Sequence, residues 1–122
     1  MGLDQDFYKL KKGNYKFENR EIIDYYEIND KVEHIIWLRK EYELSSIIDG
    51  VTDMLPNVDY MVISKEDLIE IFEEVQQKWI KLCKNDKNKE DRMSLYYISK
   101  ILEGILNTFD FDNYYLLYLE CG

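Results

Sequence analysis

The stretch YMVISKEDLIEIFEEV, residues 60–75, leaves little choice of local structure and sets the frame for the rest of the chain. Ser64 can accept a hydrogen bond from the backbone N–H of Asp67, whose carboxylate then sits at the positive end of a helix. Leu68, Phe72, Val75, Trp79 and Leu82 follow at alternating steps of four and three, one continuous apolar stripe that must pack on something. Lys78, Lys81 and Lys84 gather at the far end, where cations oppose the helix dipole. Upstream of the cap, Pro56 and Asn57 mark a loop, and Val58, Tyr60 and Val62 read as a short central strand.

The same period returns in Leu95, Ile98, Leu102, Ile105 and Phe109. Two helices can therefore pair as an antiparallel hairpin across a polar connection at Asn85 to Arg92. Leu3 to Leu10 alternate as a half-buried first strand would, and Lys11 to Asn14 supply a turn. The β-branched and aromatic residues between Arg20 and Ile28 predict a second strand. Asn29 and Asp30 then predict the cap of a helix from about Lys31 to Asp49, stopping or bending at Gly50. Asp110 to Asn113 has turn chemistry, and Tyr114 to Glu120, YYLLYLE, is apolar on both faces as an interior strand would be. The order β-β-α-β-α-α-β predicts an α+β fold: a small mixed or antiparallel sheet covered on one face by about three helices, in a single domain over residues 1–122.

A chain of 122 residues, 46% of them hydrophobic, can bury one core without metal or disulfide staples. Five glycines and a single proline predict order nearly end to end. Cys83 falls in the helical pattern as a small apolar filler, Cys121 is next to last, and both are expected to be reduced. No apolar run approaches the ~20 residues that span a bilayer. The N-terminus lacks an apolar signal core, so a cytoplasmic location without membrane contact is expected.

Charge narrows the function further. The net charge is −9, and it is gathered: Glu41 to Ser64 holds five carboxylates and no Lys or Arg, and Ile101 to the C-terminus holds four more, again without a cation. Such stretches build a negative field that repels nucleic acid and attracts basic partners. The candidate partner-binding residues are Asp49, Asp53, Asp59, Glu66, Asp67, Glu70, Glu73 and Glu74. Helical spacing places Glu66 beside Glu70, and Glu70 beside Glu73 and Glu74, able to meet arginines of a partner or a divalent cation; a solvated helix face is the plainer reading.

No Gly-rich phosphate loop, nucleophile elbow, Cys-x-x-Cys pair or Ser/His/Asp set can be assembled, so neither an enzyme nor a cofactor is expected. His34, the only histidine, reads as a partly exposed helix residue near a carboxylate. Asp110, Asp112 and Asn113 lack the glycine and distant Glu of a calcium loop. Core packing accounts for most of the eleven tyrosines. A rival function would stack exposed rings such as Tyr25 and Tyr26 on a nucleotide-like signal while Arg39 and Lys40 meet its phosphates, against the overall charge. A homo-oligomer that buries tyrosines is a third option.

Three blocks, MGLDQDFYKL, WLRKEYEL around Arg39 and Lys40, and DYMVISKEDLIEIF, together resemble a family of small proteins from bacteria and their phages that begin Met-Gly-Leu-Asp. Members of that family often follow the Arg-Lys pair with an Asn and a His, where this chain has Tyr42 and Ser45 in the neighbourhood. The resemblance implies no particular activity. It implies a phage or mobile-element setting, in which small acidic proteins often disable host defences. The expected function is therefore a phage-type, anti-CRISPR-like inhibitor whose acidic surface occupies the basic nucleic-acid groove of a host effector protein.

Overall fold

A computed structural model describes residues 2–84 and 89–122. Among these residues, β1 (Asp4–Lys11), β2 (Ile22–Ile23), β3 (Glu33–Arg39), β4 (Tyr60–Ile63) and β5 (Tyr114–Cys121) form one sheet in the order β2-β4-β5-β1-β3. Every pairing between these strands is antiparallel, and an isolated parallel bridge joins Asn57 to Glu120 of β5. Between them come a single turn, α1 (Tyr25–Ile28), and three longer helices, α2 (Tyr42–Thr52), α3 (Lys65–Cys83) and α4 (Lys89–Thr108). The α+β class and the order β-β-α-β-α-α-β are found, with β3 and the turn of α1 set in ahead of the first long helix.

The alternation of β5 explains its central place. Leu116 and Tyr118 join Phe7, Met61 and Ile63 on the side facing the helices, where Leu44, Ile48, Leu68, Ile71, Val75, Ile98 and Leu102 close the main core. Leu117 and Leu119 point the other way, into a second, smaller core with Leu10, Ile23, Ile28, Tyr60 and Val62. That face is covered by the segment between β1 and β3, whose Tyr15, Phe17, Tyr25 and Val32 pack against it. β1 accompanies β5 over its whole length, from Asp4 opposite Cys121 to Lys11 opposite Tyr114.

Several boundaries differ from the sequence expectation. The helix expected from Lys31 to Asp49 is divided: Glu33–Arg39 is strand β3, and the helix begins only at Tyr42. Val32, Ile35, Ile36 and Leu38 satisfy a helical spacing, but the β-branched and aromatic run HIIW prefers extended backbone once β1 offers an edge. The register breaks between Phe7, opposite Ile36, and Tyr8, opposite His34, leaving Ile35 as an extra residue in β3. Asn29 closes α1, its N–H donating to the Tyr25 carbonyl at 3.0 Å, rather than capping the next helix.

The expected second strand shrinks to Ile22–Ile23 because Asp24 accepts from the Tyr26 N–H at 2.9 Å and turns the chain into α1. Gly50 lies inside α2, which ends instead at Asp53 in the left-handed region, φ 59°. Cys83 is exposed rather than a core filler, and both cysteines are free thiols. Of the expected polar connection, residues 85–88 lie outside the described residues, and Lys89–Arg92 already belong to α4. Among the described residues no helix is long and apolar enough to cross a membrane.

Leu116→Ala and Leu117→Ala truncate opposite faces of β5, and each should lower stability by about 2–5 kcal/mol in urea titration. Tyr26→Ala, at a ring that is 83% exposed, should change it by less than about 0.5 kcal/mol. A small loss at either leucine would contradict a strand buried on both sides.

Candidate functional site

At the start of α3 the expected cap is present, and the fold adds a partner to it. Ser64 Oγ accepts the Asp67 N–H at 3.1 Å. The Asp67 carboxylate itself is buried and gripped by Arg20, Nε to Oδ2 at 2.8 Å and Nη2 to Oδ1 at 3.1 Å, with Asn19 Nδ2 donating to Oδ2 at 2.8 Å. Asn19 Oδ1 also accepts the Ser64 N–H at 2.9 Å, and the Arg20 N–H donates to the Val62 carbonyl at 2.8 Å. Hydrogen bonds from Arg20, helped by Asn19, hold the Asp67 carboxyl below the usual range although burial pushes it up.

Asp67, a candidate partner-binding residue, is therefore not free at the surface: it is buried and its charge is neutralised inside the fold. Asp59 is likewise occupied, half-buried and accepting the Tyr25 N–H at 3.0 Å.

Six candidates are left at the surface. Asp49 and Asp53 of the α2 end, and Glu66, Glu70, Glu73 and Glu74 of α3, are exposed, and among the described residues none is in an ion pair. Ser46, Gly50 and Val51 of α2 and Glu70 and Glu74 of α3 line one open depression of about 310 Å³. A side chain added at Gly50 would meet nothing within 4 Å, so the floor of this groove is open. Asp67 first, then Asp53 and Glu70 at longer range, raise the pKa of Arg20, which places the end of α2 and the second turn of α3 in one field. The Lys78–Glu43 pair, 2.7 Å, closes the far end.

Other acids are held by their own neighbours. Glu41 accepts from the Ser94 hydroxyl, and Glu103 pairs with Lys100 at 3.7 Å. Asp110 binds its own turn through the Asn113 side chain at 2.8 Å and the Asp112 and Asn113 N–H groups, which lowers its pKa. Glu120 Oε1 accepts from Tyr118 at 2.6 Å and Ser45 at 2.8 Å.

The residues of the rival ligand site stand on separate elements, Arg39 and Lys40 at the end of β3 and Tyr25 and Tyr26 in α1. Arg39 sits opposite Asp4 at the end of β3, and the Lys40 N–H donates to the Leu3 carbonyl at 2.7 Å. Tyr25 stacks on Tyr60 instead, centroids 5.6 Å apart at 9°, with Tyr26 edge-on to Tyr25. Among the described residues, none of the five main depressions is lined by Arg39, Lys40, Tyr25 or Tyr26. His34 stands on a strand rather than a helix, its Nε2 2.6 Å from Asp6 Oδ1 and its ring edge-on to Tyr8. Among the described residues no three His, Cys, Asp or Glu side chains form a metal-holding group.

One polar cluster escaped the sequence reading. Gln5, fully buried on β1, donates to the Glu41 carbonyl at 3.0 Å and the Tyr118 hydroxyl at 3.1 Å, and accepts the Glu41 N–H at 2.9 Å. Burial, then Glu120, pushes the Tyr118 phenol up. Among the described residues every buried side-chain polar atom has a partner, and this network anchors the start of α2 to the sheet. The signal available was a polar residue at an inward position of a strand.

No family model, curated protein or solved structure gives a significant match to the chain.

The lowered pKa of Asp67 makes its contribution fully present above the unfolded value of about 3.9 and lost as pH falls through the folded value. Arg20→Gln should therefore lower the thermal midpoint most at pH 7, with the gap to the parent narrowing below about pH 4. A gap of equal size at pH 7 and about pH 3 would show that the pair is not what stabilises the junction.

Proposed function

We propose that the protein is a binding protein that docks the α2–α3 acidic face on a basic surface of a partner protein. The observation that carries this reading is that Asp49, Asp53, Glu66, Glu70, Glu73 and Glu74 stand on the two helices that flank one groove, without an ion-pair partner among the described residues. Along α3 these carboxylates recur at about one turn, ~5.4 Å, a row of anions on one ridge. A net charge of −9 adds long-range attraction that speeds encounter with a cationic surface. In the phage setting that the sequence resemblance suggests, the partner is a host defence effector, and the acidic face competes with nucleic acid for its basic groove.

The triple variant Asp53→Lys, Glu70→Lys and Glu74→Lys tests the reading, with Glu103→Lys as a control away from the groove. Tagged protein is used to capture partners from the native host at low and raised salt, and bound proteins are identified by mass spectrometry. The expected result is a partner captured by the parent and the control, released by salt, and reduced at least tenfold with the triple variant while circular dichroism is unchanged. Capture indifferent to both salt and charge reversal would sink the proposal.

A further inference from the structure

Where β4 runs into α3, the end of the sheet leaves an open depression of about 330 Å³, within the size range of small-ligand sites. Its floor is apolar, with Ile63 and Leu116, and aromatic rings of Phe17, Tyr115 and Phe111 stand around it. Two of these rings are fixed before any ligand arrives. The Tyr115 hydroxyl accepts the Phe17 N–H at 2.9 Å and donates to the Tyr15 carbonyl at 3.0 Å, and the Phe17 and Tyr115 centroids lie 5.3 Å apart. A wall already ordered loses little entropy on binding.

Lys12 and Lys65 also line the depression, and neither is in an ion pair among the described residues. Lys12 Nζ lies 5.1 Å over the Tyr115 ring, a cation held at an aromatic wall. Glu66 and Asp112 complete the rim, so the site opposes ligands of high negative charge. We infer that this depression binds a planar aromatic ring carrying one anionic group, a phosphate monoester or a carboxylate. The ring lies on the Phe17 and Tyr115 wall, and the anion faces Lys12 and Lys65. This inference does not depend on the acidic docking face, which uses other residues apart from Glu66 at the rim.

Calorimetry on the full chain tests it with AMP and indole-3-carboxylate as the ring-bearing anions, with adenosine and inorganic phosphate as the separated halves of the first and indole and formate as those of the second. The expected result is that AMP or indole-3-carboxylate binds at least tenfold more tightly than either half, the stronger of the two identifying the anionic group. Lys12→Gln with Lys65→Gln should weaken it at least tenfold with no change in thermal midpoint, and the Phe17 and Tyr115 ring resonances should shift in the parent. Absence of heat from both ring-bearing anions at millimolar concentration would overturn the inference. So would binding that the double variant leaves unchanged.

Discussion

A strand that is apolar on both sides has one stable place in an antiparallel sheet, the middle, and β5 imposes that constraint on everything around it. With Leu116 and Tyr118 turned to the helices and Leu117 and Leu119 turned away, both faces of the sheet must be covered. Three helices cover one. The other is covered by an irregular segment and one helical turn, so Tyr15, Phe17 and Tyr25 act as a thin lid over the second core.

The electrostatics divide along the same lines. Acids that approach the core are bound by named donors: Asp67 by Arg20 and Asn19, Glu120 by Tyr118 and Ser45, Asp59 by the α1 backbone. Asp49, Asp53, Glu66, Glu70, Glu73 and Glu74 of the α2–α3 pair are in no ion pair among the described residues, and repulsion between them is tolerated because water and salt screen it. Exposure on one flank therefore coexists with strict satisfaction inside.

Elements with a period and a cap were legible in the sequence. Ser64, the stripe from Leu68 to Leu82, and YYLLYLE each carry local chemistry that tertiary contacts reinforce. The segment from Lys31 to Asp49 was not, because Val32, Ile35 and Ile36 fit two periods and only the edge of β1 decides between them. The groove acids were legible as a group. Asp67 was not separable from them, since its partner Arg20 is 47 residues distant in sequence. Nor could spacing show that Lys12 and Phe17 meet Lys65 and Tyr115, because they come from three separate segments.

The extra residue at Ile35 has a consequence for self-association. β3 is a border of seven residues with Trp37 exposed, the kind of margin along which sheets polymerise. Across Ile35 the alternation of sides is reset: His34 lies with Tyr8 away from the helices, whereas Ile36 and Leu38 pack toward them. A neighbouring chain laid along this margin finds an unbroken alternation only from Ile36 to Arg39, because the bulge at Ile35 interrupts the edge. The bulge thus guards one margin of the sheet against strand-by-strand growth.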